Sequence, residues 1–233
     1  MSFKIKIVFF SLFILVTNSY AYKDFRYGEK YCGKLNFVNI SELKDFFNDS
    51  VKIIKEDTKD LDLLVCSAEV ANLLWNVSSG KEDELSVSRY GYKWALLAKT
   101  IASDDPAVQY LLAVNLLMYS YSRGIVESLK NLEEVRKVSM LVYNSAPEFL
   151  EYSPAILLGA LYSESPPFPI AFGNIDKAEA YFKEAIQKAP LNTTSYVFLA
   201  RLYFRYNKMD EGIDVIKKVL KIPRRKHLDK IAD

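Results

Sequence analysis

The sequence predicts an all-α protein of about nine helices, stacked as antiparallel pairs into a right-handed α–α superhelix. Three observations carry that expectation. Apolar residues recur at three- and four-residue spacing along most of the chain. Asp176-Lys177-Ala178-Glu179-Ala180-Tyr181-Phe182 and Asp210-Glu211-Gly212-Ile213-Asp214-Val215-Ile216 stand 34 residues apart (210 − 176 = 34), and the register extends to Ala185/Val219 and Ile186/Leu220. Small residues also fall at fixed places in that frame, where the two helices of a pair must approach closely.

Half of the 233 residues are apolar and 14% are aromatic, enough for one continuous core. Residues 1–21 read as a secretory signal peptide. Lys4 and Lys6 precede the apolar run Ile7 to Val16, and Ser19-Tyr20-Ala21 sets small residues at the −3 and −1 positions of a cleavage site. The run is short for a permanent membrane span, and no cysteine stands at the cleavage point to accept a lipid. The expected product is exported and soluble. Removing the leader leaves 31 − 2 = 29 basic residues against 29 acidic ones, a balance without the basic footprint that nucleic-acid binding needs. Cys32 and Cys66 are the two cysteines. In an oxidising compartment they can form a disulfide, or they can remain two buried thiols, because the sequence gives no distance between them.

Residues 22–38 form an extended lead-in, 39–222 a single helical-repeat domain, and 224–233 a basic tail. Asn39 with Glu42 resembles a capping arrangement for a helix through Leu43, Phe46, Phe47, Ile53 and Ile54. Asp62 is placed to cap the next helix, which carries Leu63, Cys66, Val70, Leu73, Leu74 and Val77. After the turn Ser78-Ser79-Gly80, a third helix runs from Glu82 to Ala102 with Gly91, Ala95 and Ala98 along one face. Asp105-Pro106 opens a fourth. That helix, Ala107 to Tyr121, is apolar nearly all round, which implies burial on several sides. Gly124 ends it, and an amphipathic helix follows through Leu129, Leu132, Val135, Val138 and Val142. Ser153-Pro154 then opens a shorter helix carrying Leu158-Gly159-x-x-Tyr162.

From there the frame is that of the tetratricopeptide repeat, clearest over 154–190 and 193–223. Ala178 and Ala185 flank Phe182 on one helical face, and Pro190 closes that helix twelve residues after Ala178. Tyr196-x-x-Leu199-Ala200-x-x-Tyr203 fits the first helix of a unit, and Leu158-Gly159-x-x-Tyr162 takes the same positions one unit earlier. Gly159, Ala178, Phe182, Ala185, Ala200 and Gly212 are therefore the expected packing residues. The spacing within the earlier unit is stretched: Tyr162 to Ala178 is 16 residues and Tyr203 to Gly212 is 9, an insertion of 16 − 9 = 7. Pro166, Pro167 and Pro169 forbid helix there, and Phe168, Ile170 and Phe172 are costly to leave in water. The insertion is either a loop folded back over the stack or a contact loop at the mouth of a groove. On the second reading Pro166, Pro167, Phe168 and Phe172, with Tyr162 and Tyr196, meet a partner or a ligand.

Catalytic signals are lacking. His227 is the one histidine, and the sequence holds no zinc-spaced cysteine set and no glycine-rich phosphate loop. Acid pairs such as Asp104-Asp105 and Glu133-Glu134 are adjacent and so diverge on a helix. The expectation is a binding protein with no enzymatic activity, no metal and no cofactor.

The run Gly173-Asn174-x-Asp176-Lys177-Ala178-x-x-Tyr181-Phe182-x-x-Ala185-Ile186, behind a proline-rich insertion in an exported helical chain, resembles the T-component (TatT-type) family of TRAP-transporter-associated proteins. The resemblance covers residues 35–222 and is most specific over 105–190. It implies a periplasmic accessory protein that docks the substrate-binding protein of a TRAP-type uptake system. It also implies a homo-oligomer, a trimer in that family; apart from the resemblance, a hydrophobic small-molecule ligand is a further candidate. Members are commonly lipoproteins, and this chain departs from them at the cleavage point. The alternative function is an exported repeat scaffold for cell-envelope or outer-membrane assembly.

Overall fold

The computed structural model describes residues 40–223. The expected leader, the expected lead-in with Cys32, the expected cap Asn39 and the tail with His227 lie outside them. Among the described residues there are nine helices and no strand beyond one isolated bridge. The all-α, repeat-type expectation holds. No helix among the described residues is long and apolar enough to cross a membrane.

The described residues fall into two compact units, one ending at Val142 and the other beginning at Tyr143. The first holds α1 (Ile40–Ile53), α2 (Leu61–Val77), α3 (Lys81–Ile101), α4 (Pro106–Arg123) and most of α5 (Ile125–Ser145). Helix α2 packs on α1, α3 and α4, so it is buried on almost every side. Its cap is Asp60, whose Oδ1 accepts from the Leu63 amide at 3.1 Å. Asp62, the expected cap, instead lies in the first turn of the helix, where a carboxylate faces the positive end of the helix dipole. Cys66 is fully buried and is not a free thiol; Cys32, its suggested partner, lies outside the described residues. Asp105 caps α4 by accepting from the Ala107 amide at 2.9 Å, with Pro106 in the first turn as read from the sequence. Gly124 ends α4 at φ 106°, a conformation that a side chain disfavours. Trp94, Ala95 and Ala98 of α3 are buried as its small-residue face requires.

The second unit holds α6 (Ser153–Glu164), α7 (Ile175–Lys188), α8 (Thr193–Arg205) and α9 (Met209–Val219). Helix α6 pairs with α7, and α8 pairs with α9 while also packing on α6 and α7. Asn174 and Asn192 cap α7 and α8 by accepting from the amides of Lys177 and Thr194 at 2.9 and 3.1 Å. Asn192 has a second task. Its Nδ2 donates to the Glu151 carbonyl at 3.0 Å, bracing three successive left-handed residues, Leu150, Glu151 and Tyr152, that turn the chain into α6. Left-handed non-glycine residues are individually unfavourable, so the buried asparagine offsets local strain while starting a helix elsewhere.

Ala178, Phe182, Ala185 and Ala200 are all buried, and Gly159 and Gly212 are buried within α6 and α9. The packing residues expected from the repeat frame are thus interior. Ala178 has no exposed surface, and added methylenes there have nowhere to go. Ala178→Leu is expected to cost roughly 1–3 kcal/mol through overpacking. An unchanged melting temperature for that variant would remove Ala178 from the seam.

Candidate partner-binding site

The chain between α6 and α7 spans ten residues, 165–174, whereas that between α8 and α9 spans three, 206–208. The difference, 10 − 3 = 7, equals the insertion counted from the sequence. Its base is closed by backbone pairing. Gly173 N–H donates to the Pro166 carbonyl at 2.8 Å, an isolated bridge joins Pro167 to Gly173, and Asn174 N–H donates to the Tyr162 carbonyl at 2.9 Å. A Cβ on residue 173 would lie 2.1 Å from the Ser165 carbonyl oxygen, so only glycine lets the two limbs approach this closely. Ile170 N–H donates to the Pro167 carbonyl at 3.1 Å, which folds the tip.

The aromatic residues of the insertion divide. Phe172 turns inward and meets the Tyr162 ring edge-on, with centroids 5.3 Å apart. Tyr162 stacks on Tyr181 at 5.8 Å, and Tyr181 meets Tyr143 edge-on at 5.3 Å. The Tyr143 hydroxyl donates to Glu184 at 2.7 Å; burial first, then the Glu184 carboxylate, push its pKa up to about 12. Lys177 Nζ lies 5.2 Å from the Tyr162 ring centroid, within cation–π range. Phe168 points the other way. It is 87% exposed, Ile170 is 69% exposed, and Pro167 and Pro169 beside them are also at the surface. Two large apolar side chains therefore stand in water on a loop whose base is hydrogen-bonded shut.

The expected site residues separate accordingly. Pro167 and Phe168 are at the exposed tip, Pro166 is half-buried at the base, and Phe172 belongs to the underlying ring stack. Tyr162 and Tyr196, expected among the contact residues, are interior instead. Each lies on the first helix of a pair, where packing consumes the ring, and the Tyr196 hydroxyl donates to the Pro190 carbonyl at 3.0 Å. Behind the loop, Arg205 forks onto both oxygens of Glu164 at 2.7 and 2.8 Å and donates to the Ser163 carbonyl at 2.9 Å. This ties the carboxyl end of α6 to that of α8, where a cation also suits the helix dipole.

Two acids that carry part of the organisation escape a reading by sequence. Glu179 accepts from the Tyr203 hydroxyl at 2.9 Å and pairs with Lys183 at 2.6 Å and Lys208 at 3.8 Å. Burial pushes its pKa up, but the hydrogen bonds from Lys183 and Tyr203 outweigh that and hold it below its ordinary value. The other acid is Glu69, buried in α2. Its signal was present, since it is the one charge between Leu63 and Val77. Among the described residues no group of three or more His, Cys, Asp or Glu converges as a metal-ligand set.

The tetratricopeptide repeat family model matches residues 170–226, a span that takes in α7, α8 and α9. No curated protein matches the chain.

Proposed function

We propose that this chain is an exported, non-catalytic docking protein: the accessory T-component that holds the substrate-binding protein of a TRAP-type solute-uptake system. Tetratricopeptide repeats serve as scaffolds for protein–protein interaction, and the match over the last three helices supports that coarse function. The finer assignment rests on the likeness of Gly173 to Ile186 to the T-component motif and on the leader-like residues 1–21.

One observation carries the docking reading: the exposed Phe168 and Ile170 on a braced loop. Apolar side chains held in a fixed backbone lose little entropy on binding, so their burial translates efficiently into affinity. Phe172 has the capping role and Phe168 the contact role. Single substitutions separate them. With a purified TRAP substrate-binding protein from the same cell, Phe168→Ala is expected to weaken binding about tenfold or more, with its melting temperature close to that of the parent. Phe172→Ala is expected to lower the melting temperature by stripping one ring from the stack. Affinity unchanged by Phe168→Ala would place the contact elsewhere. No measurable binding by the parent chain would overturn the TRAP assignment and favour the envelope-scaffold role.

A further inference from the structure

We infer that the first unit holds a binding site for a small primary alkylammonium ion, formed by Glu69, Asn72 and Asn76 on one face of α2. The spacing i, i+3, i+7 sets the three side chains on one stripe of the helix. All three are more than nine-tenths buried. The Oδ1 atoms of Asn72 and Asn76 have no hydrogen-bond partner. Asn76 donates through Nδ2 to the Asn72 carbonyl at 2.9 Å, which fixes Oδ1 as the atom left over; a flipped amide would set two acceptors against each other. Glu69 has no ion pair or hydrogen bond among the described residues, and burial alone raises its carboxyl.

Buried polar atoms without partners are rare, and each leaves a desolvation cost uncompensated. Three acceptor groups on one stripe, with no cation among them, call for a donor-rich cation. A primary ammonium offers three N–H donors and no acceptor, the chemical complement of a carboxylate and amide oxygens. Val65 and Leu73 lie on the same stripe and suit a short alkyl chain. Asp62, two turns toward the amino end and half-buried, adds negative charge where that stripe nears solvent. The third orphan acceptor, Asn115 Oδ1 on α4, does not belong to the site. It lies against Gly91, where an added Cβ would come within 2.2 Å of it.

The test uses the full mature chain at pH 7.5 and follows its melting temperature against n-butylammonium chloride. Tetramethylammonium chloride, sodium chloride, potassium chloride, calcium chloride and 1-butanol at matched concentration are the comparison arms. A saturable rise of about 3 °C or more is expected at ten times the half-saturating amine concentration. Tetramethylammonium, which has no N–H, and the uncharged alcohol are expected to give none. Glu69→Gln and Asn72→Ala should each abolish the rise, and Phe168→Ala in the other unit should keep it. Carbon-13 observation of the Glu69 carboxyl provides a reading that needs no variant: adding the amine should move its signal toward the ionised carboxylate. An equal rise with a metal cation would make this an inorganic-ion site, and no rise with any arm would leave ordered water as the occupant. Either result overturns the inference, as would an unchanged amine response in Glu69→Gln.

Discussion

Phe182→Ala is expected to remove about 3–5 kcal/mol of stability, the range for truncating a fully buried aromatic ring. Phe182 has no exposed surface, and its ring stacks on Phe198 of α8 with centroids 5.6 Å apart and planes 13° from parallel. Across the pair it lies on Gly159 of α6 so closely that a Cβ there would come within 2.5 Å of the ring. One side chain of α7 thereby joins three helices, and its truncation leaves a cavity among them. At roughly 2–4 °C per kcal/mol for a chain of this size, the fall in melting temperature is about 10 °C. Two glycine variants serve as controls. Gly159→Ala pushes a methyl into the interior Phe182 ring and is expected to destabilise. Gly212→Ala meets the Phe204 ring at 2.4 Å, but that ring is 36% exposed and can rotate outward. Its strain is then offset by the better helix propensity of alanine, about 1 kcal/mol, and the net effect is expected to be near zero. Equal losses at both glycines would mean that the two close approaches are alike in rigidity.

The second unit was legible in the sequence because its determinants are local. A 34-residue register and small residues at fixed positions identify helix pairs without reference to anything distant, and Ala178, Phe182 and Ala185 are buried as that frame requires. The length of the inserted loop was legible for the same reason. Its side-chain directions were not. Phe168 and Phe172 look alike in sequence, and only the pairing of Gly173 with Pro166 decides which ring folds under the loop and which stays in water. Tyr162 and Tyr196, expected among the contact residues, are interior because the first helix of each pair is packed on most sides. Capping had a similar limit. Asp60 and Asp62 are both plausible caps for α2, and the backbone at Asp60, extended at ψ 96°, settles it. Asn192 shows what sequence leaves hidden altogether, since its bond to Glu151 crosses 41 residues.

Glu69→Gln is expected to stabilise the protein, and by an amount that grows with pH. Burial pushes the Glu69 carboxyl from its ordinary 4.5 up to about 8, with no charged neighbour contributing. Between those values the folded state keeps a proton that the unfolded chain has released, so stability falls as pH rises through that window. Below about pH 4.5 both states are protonated and the penalty vanishes; above about pH 8 both are ionised and it is constant. At pH 7 the penalty reaches about 3 kcal/mol at most, from 1.36 kcal/mol per pH unit. Glutamine keeps the shape and the buried polarity but never ionises, so it lifts that penalty alone. Melting temperatures of parent and variant taken at pH 5, 6, 7 and 8 should therefore diverge steadily, with the variant higher and its curve flatter. A constant gap would show that Glu69 has the same pKa folded and unfolded, and a variant less stable at pH 8 would mean that a cation meets the carboxylate in the folded chain.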